Sequence, residues 1–417
     1  MASSLDRPYS IATVRTRALR GTSALRGERA VVGERLTSLR LSRRRWLLVA
    51  AGAAGAMLAA CQAAAPPAPT AVPAKPTEAP KPAASPAASP GASPAASPSP
   101  AAAAPAAQSA AAAATKPAAM TPVSQVMNWF AQSSMGGFFA ALKNGDYERL
   151  NLQMTIEQGG PGVSSIPTVA SGKYTLGMAP ADQLFLARQE GIPVVSLFAT
   201  FQTNPQGLMF HKSHPVSDFK DLNGRRLYVS PNGVYWLYFK KKFNLDQVEE
   251  LTYRGQLATF LADETAVTQC FVGDEPLAAE KQGFSVGALL NADSGYNPYG
   301  NVMFAMEQTV KDKPDLVQAY VIASLQGWKS YADKPEPILA FIKEYNKDYD
   351  IDLAAKTAQV EKPLLTGRSY DPKLLGMMTE QRWKELHDQM REVGGLKSDL
   401  DVKSVFDSRF IEAAQKG

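Results

Sequence analysis

The sequence predicts an α/β protein of two lobes with a helical carboxyl-terminal tail, and three observations carry that expectation. Short apolar runs alternate with amphipathic ones from Val126 onward, the signature of strands separated by helices. That alternation restarts after His214-Pro215, so two similar halves follow one another. Beyond Lys311 the patterning is helical only. The amino-terminal third contributes nothing to this fold. Half of the 30 prolines in the 417-residue chain fall between Pro66 and Pro122, in a stretch of mostly Ala and Ser without an aromatic residue, which cannot bury a core. Ser124 to Gly417, in contrast, has ordinary apolar and charged content and length enough for two cores.

In the first half, Val126–Phe130 reads as a strand, Gly137–Asn144 as a helix stopped by Gly145, and Leu152–Glu157 as the next strand. Gly159-Gly160-Pro161-Gly162 turns the chain into a helix over Ser164–Ser171. Strand Tyr174–Met178, helix Asp182–Glu190 and strands Val194–Thr200 and Gly207–Phe210 follow. Helices between strands imply parallel pairing with right-handed crossovers. The second half reads as helix Asp218–Leu222, strand Arg226–Val229, helix Val234–Phe243 and strand Val248–Tyr253. Helix Gln256–Ala262, strand Ala266–Phe271, helix Glu275–Gln282 and strand Ser285–Leu290 complete it, and Asn301–Met306 is a strand returning the chain to where it started. Helices over Pro314–Tyr331, Glu336–Tyr345, Ala354–Val360, Thr379–Val393 and Val405–Ala414 make the tail. The expected organisation is lobe 1 over 124–212 and lobe 2 over 213–300. Residues 301–417 then return to lobe 1 and add the tail, with hinges near His211–His214 and Tyr299–Val302.

The leader has its own chemistry. Residues 1–60 hold 11 Lys and Arg against 3 Asp and Glu, a charge of +8, so the rest of the chain carries 33 minus 36, or −3. The basicity belongs to the leader, and no nucleic-acid partner is expected of the folded part. Ser42-Arg43-Arg44-Arg45-Trp46-Leu47-Leu48 resembles a twin-arginine export signal. The apolar run Trp46–Ala60 spans only about 22 Å as a helix, short of the roughly 30 Å of a bilayer core, so residues 1–60 read as a signal peptide. It ends in Leu58-Ala59-Ala60-Cys61, which resembles a lipobox, and Cys61 is therefore the expected lipidation site. Residues 61–123 form a tether with Ala-Ala-Ser-Pro units around Pro86, Pro90, Pro94 and Pro98, extended by up to about 3.1 Å per residue. The protein is thus expected at the outer face of the cell membrane, held by its lipid. The one other cysteine, Cys270, lies in an apolar run and reads as a small core residue.

A series of motifs in the folded part is similar to a known family. Gly172-Lys173-Tyr174-Thr175-Leu176-Gly177-Met178-Ala179, Asp182-Gln183-Leu184 and Gly191-Ile192-Pro193-Val194-Val195 come in order. Gln206-Gly207-Leu208, then Asp221-Leu222-Asn223-Gly224-Arg225-Arg226, then Asp274-Glu275-Pro276 follow. The chain so resembles the type II periplasmic binding proteins of nitrate, sulfonate, taurine, thiamine-pyrimidine and riboflavin uptake from about Val126 to Gly300, the tail matching in pattern only. The resemblance implies a two-lobed, monomeric receptor that closes on a solute and hands it to an ABC permease and its ATPase.

Ligands of open α/β sheets bind beyond the carboxyl ends of the strands. On that rule the candidate binding residues are Trp129, Ser133, Gly160, Asp182, Gln202, Asn232, Tyr235, Trp236, Glu275 and Tyr296. Gly160 offers backbone N–H groups or simply turns the chain, and Asn232, Asp182 and Glu275 accept from a ligand or cap the helices they open. The aromatics stack on a ligand or fill a core. Their number favours a planar, uncharged heterocycle over a small anion, with riboflavin ahead of a thiamine pyrimidine because a three-ring system needs the wider slot and its polar tail the larger set of partners. The tethered lipoprotein format also resembles that of the family's riboflavin receptors. No metal or cofactor is expected, since His211, His214 and His387 lack ligand spacing. An enzyme is the alternative class, because the family's fold also serves a thiamine-pyrimidine synthase that consumes its own histidine and a bound pyridoxal phosphate.

Overall fold

The computed structural model describes residues 116–230 and 233–417. The export signal, the lipobox at Cys61, most of the tether and Asn232 lie outside the described residues. Two five-stranded sheets form the framework. The first contains strands β1 (Thr121–Val126), β2 (Leu152–Glu157), β3 (Leu176–Ala179) and β4 (Val194–Ala199). The second contains β5 (Gln206–His211), β6 (Arg226–Val229), β7 (Glu249–Thr252), β8 (Val267–Phe271) and β9 (Val286–Leu290), and β10 (Val302–Met306) returns to the first. Their orders are β2-β1-β3-β10-β4 and β7-β6-β8-β5-β9.

The first sheet's contacts begin earlier than Ser124. Asn151 Nδ2 donates to the Pro117 carbonyl at 2.8 Å, and Thr121 N–H donates to Asn151 O at 2.9 Å. Pro122 sits inside β1 without breaking it. Thr121 points its N–H toward β2, so Pro122 turns its missing donor toward β3, where pairing begins only at Gln125. The expected strand over 126–130 is therefore displaced: β1 ends at Val126, and Met127–Phe130 become the loop beyond its carboxyl end.

Strand direction also departs from the all-parallel expectation. β1 runs parallel to β2 and β3, and β6 parallel to β7 and β8, but β10 is antiparallel to β3 and β4, and β5 is antiparallel to β8 and β9. The two antiparallel strands are the ones entering a sheet from the other lobe. This corrects the lobe boundary. Gly207–Phe210, expected in lobe 1, lies within β5 of the second sheet, so the first crossing is residues 200–205 rather than 211–214, and the second is 291–301. The crossings run side by side: Thr200 N–H donates to Asn301 O at 2.8 Å and Asn204 N–H to Asn297 Oδ1 at 2.9 Å.

The tail covers what the first sheet leaves open. β4 is buried along its length and pairs in the sheet with β10 alone. On its other side Ser196 N–H donates to Val405 O at 2.8 Å, Asp407 N–H to Ser196 O at 2.8 Å, and Ala199 N–H to Gly376 O at 3.1 Å, so residues 376–407 protect the exposed edge. Helix Pro314–Asp333 packs on helix Gly136–Lys143, with Gly137 and Gly327 at the contact. A Cβ on Gly137 would stand 2.1 Å from the Trp328 ring, and one on Gly327 would stand 2.2 Å from Gly137 O, so the approach requires glycine at both positions. Among the described residues no helix is long and apolar enough to cross a membrane.

Candidate ligand-binding site

A cleft of about 810 Å³, open solvent at its mouth included, lies where the crossing segments meet the ends of strands from both sheets. The first lobe supplies Asn128 and Trp129 from the loop after β1, Gln132, Ser134 and Met135 from the start of the next helical segment, and Pro180 after β3. The crossings add Asn204, Gly300 and Asn301. The second lobe adds Gln206 in β5, Tyr253 after β7, Gln269–Phe271 at the end of β8, and Asp274 with Glu275 at the start of the following helix.

Trp129 is half-buried and bridges the lobes. A Cβ on Gly255, which has φ +74°, would stand 3.3 Å from the indole, and Phe130 meets Trp129 edge-on at 5.7 Å. The polar groups are fixed before any ligand arrives. Gln132 Nε2 donates to Asp274 Oδ2 at 2.8 Å, and Asn128 Nδ2 to Asn301 Oδ1 at 3.3 Å. Gln269 Oε1 accepts from Ser230 N–H at 2.7 Å and Tyr235 Oη at 2.8 Å, leaving its amide nitrogen without a partner among the described residues. Glu275 accepts from Tyr253 Oη and from Phe271 N–H, both at 2.7 Å.

Burial dominates the electrostatics of this wall. It pushes Asp274 up to about 8, with the neighbouring Glu275 carboxylate adding to the effect and hydrogen bonds from Thr357 and Gln132 opposing it. Glu275 is raised by burial, against the hydrogen bonds of Tyr253 and Phe271. Glu361 stands behind the pair and is held far above the usual carboxylate range, by burial and then by the charges of Asp274 and Glu275. A protonated carboxyl both donates and accepts, as do the amides around it. No Lys, Arg or His lies among the described lining residues. The arrangement suits a neutral, flat molecule edged with carbonyls and N–H groups.

The cleft contains two of the ten sequence-predicted residues, Trp129 and Glu275. Seven of the others serve the framework. Ser133 Oγ lies 2.7 Å from Tyr349 Oη and donates to Ala354 O at 3.0 Å. Gly160 packs on the Phe130 ring. Asp182 accepts from Tyr296 Oη at 3.2 Å in the core, where burial raises its carboxyl to about 6. Gln202 Nε2 donates to Met377 O at 2.6 Å, tying the crossing to the tail. Tyr235 supports Gln269 from behind. Trp236 is core. Asn232 is outside the described residues. Sequence reasoning missed Asn128, Gln132, Asn204, Tyr253, Gln269 and Asn301. The available signal was their place in segments that follow strands, but displaced strand ends concealed it for Asn128 and the unrecognised crossings concealed it for Asn204 and Asn301.

Comparisons with known proteins agree with this architecture. Residues 132–338 match the family described as NMT1/THI5 like. The chain is 26% identical over 240 residues to the riboflavin-binding protein RibY of Chloroflexus aurantiacus, covering 55% of this chain and 68% of that protein. It is 18% identical over 299 residues to a formylaminopyrimidine-binding protein of Halalkalibacterium halodurans, covering 70% of this chain and 91% of that one. Among solved structures, the periplasmic nitrate-binding protein NrtA of Synechocystis PCC 6803 superposes with a TM-score of 0.56 at 11% identity, over 72% of this chain and 89% of that chain.

The raised Asp274 carboxyl has a consequence for stability. A carboxyl that holds its proton more tightly folded than unfolded contributes less stability as pH rises through the interval between its ordinary value of 3.8 and about 8. Urea unfolding of Asp274→Asn and wild type at pH 5, 6.5 and 8.5 should show the variant gaining on wild type at each step. A constant difference across that range would show that Asp274 is not held protonated.

Proposed function

Since residues 132–338 place this chain in the NMT1/THI5 like family, within the two-lobed periplasmic binding protein fold, we propose that it is the solute-binding protein of an ABC importer whose ligand is riboflavin. The carrying observation is the chemistry of the cleft: an indole at the lobe boundary, fixed amides, two half-buried carboxyls and no cationic side chain among the described lining residues. Nitrate or a sulfonate needs donors aided by positive charge, and this wall offers the reverse. A flat, neutral ring system with carbonyl and imide groups along one edge pairs with Asn128, Gln132 and Gln269 while stacking on Trp129. The likeness to RibY supports that choice. A formylaminopyrimidine is the second reading, favoured by Glu275 as an acceptor for an exocyclic amine and by the likeness to the formylaminopyrimidine-binding protein of Halalkalibacterium halodurans.

We read the protein as a binder rather than an enzyme. None of its histidines reaches the cleft: His211 Nε2 bonds the Phe260 carbonyl at 3.1 Å, His214 lies on the surface beside Ser213, and His387 sits between Asp388 and Asp399. The Cys270 thiol is driven well up by burial and then by Glu275, the opposite of an activated nucleophile. The partners in this reading are the permease and its ATPase, with the protein acting as a monomer. Lipidation at Cys61 and the long tether keep it at the outer face of the membrane within reach of the permease.

Two measurements test this. Titration of riboflavin with purified protein should quench flavin fluorescence at micromolar concentrations or below. Trp129→Ala should weaken binding about tenfold or more, while Trp236→Phe leaves it unchanged. Absence of quenching would remove riboflavin, and equal losses in the two variants would remove Trp129 as the stacking group. For the anchor, metabolic labelling with a radioactive fatty acid should mark the wild type and not Cys61→Ala. Label kept by the variant would contradict lipidation at that residue.

A further inference from the structure

The cleft is acidic in depth as well as at its surface. Asp274 and Glu275 are consecutive and line it, and Glu361 stands directly behind: a Cβ on Gly273 would lie 2.9 Å from Glu361 Cγ. Glu361 Oε1 is buried without a hydrogen-bond partner among the described residues. The donors to Asp274 and Glu275 are all neutral, namely the Gln132 amide, the Thr357 and Tyr253 hydroxyls and the Phe271 N–H. Nearby cations are engaged or outside. Lys281 pairs with Asp350, Lys362 lies over the Tyr370 ring, and Arg254 is exposed and does not line the cleft.

Resting on the riboflavin reading, we propose that the Asp274-Glu275 step, backed by Glu361, is a charge filter that admits the neutral vitamin and rejects its phosphate monoester. A phosphate monoester carries about −1.5 to −2 charges at neutral pH. Buried against this wall it would meet no counter-charge, and the Glu275 carboxylate, whose charge helps hold the proton on Asp274, would repel it. Neutral hydroxyls of the same tail, in contrast, can donate to Glu275 and both donate to and accept from the protonated Asp274. The importer is thereby matched to the dephosphorylated form, so a phosphatase reaction must precede uptake wherever the vitamin is released as its nucleotide.

The test is a competition titration of the wild-type protein with riboflavin, its 5′-phosphate, and a neutral 5′-ester of similar size. The phosphate should bind at least about 100-fold more weakly than riboflavin and the neutral ester within about tenfold. The double variant Asp274→Asn/Glu275→Gln should narrow the phosphate gap by about tenfold or more. Phosphate binding within about threefold of riboflavin would overturn the filter alone. Equal rejection of phosphate and neutral ester would overturn it in favour of exclusion by size. Failure of all three compounds to bind would remove the riboflavin reading and the filter together.

Discussion

Everything at the site depends on a paired crossing of the chain. Residues 200–205 and 291–301 each pass once from one sheet to the other, and the bond from Thr200 N–H to Asn301 O holds them together. Because the chain crosses twice, the strand on the far side of each crossing enters its new sheet reversed, which makes β5 and β10 antiparallel to their neighbours. The same crossing brings the carboxyl ends of β1, β3 and β8 to one place. Trp129 from one lobe then faces Gly255 of the other, and Gln132 of one reaches Asp274 of the other at 2.8 Å. Both contacts cross the lobe boundary among the cleft's lining, and a bound ring system would sit among groups belonging to both lobes.

The tail has a structural task that bears on the site indirectly. By pairing Val405, Asp407 and Gly376 with β4 it closes the edge that a returning chain would otherwise leave exposed. Helix Glu380–Glu392 also packs against helix Val234–Phe243, and Arg382 places its guanidinium 4.0 Å from the Tyr299 ring centroid while donating to Asn297 O. The tail thus braces the second crossing. Ser133, Tyr349 and Ala354 similarly tie the start of the first helical segment to helix Ile351–Glu361, and that helix carries Glu361 to the back of the acidic wall.

Most of the elements were legible because their patterning is local. Helices Val234–Phe243 and Glu336–Tyr345 and strand β6 have the bounds their apolar spacing indicates. The crossings were not legible, because whether β5 continues the first sheet or starts the second is decided by pairing partners far away in sequence. The site suffered from the same limit. Tyr235 and Trp236, candidates for the cleft, belong to the aromatic run Tyr235-Trp236-Leu237-Tyr238-Phe239. In the structure that helix is covered by its own sheet on one side and by the tail and Tyr296 on another, leaving Leu237 as the exposed member of the five. Trp129 and Glu275 were legible because each lies just beyond the carboxyl end of a strand, β1 and β8, at the cleft. Asp182 and Tyr296, chosen by the same rule, instead meet each other in the core, Tyr296 Oη donating to Asp182 Oδ2 at 3.2 Å.

The central claim is that one ligand engages both lobes at the crossing. Hydrogen–deuterium exchange of the protein with and without riboflavin measures this most directly, because ligand contact and closure slow local opening. The account predicts simultaneous protection of segments 127–135, 203–206, 253–256 and 269–275, with helix Val234–Phe243 unchanged. Protection confined to one lobe, or centred on Trp236 and Tyr296, would contradict it.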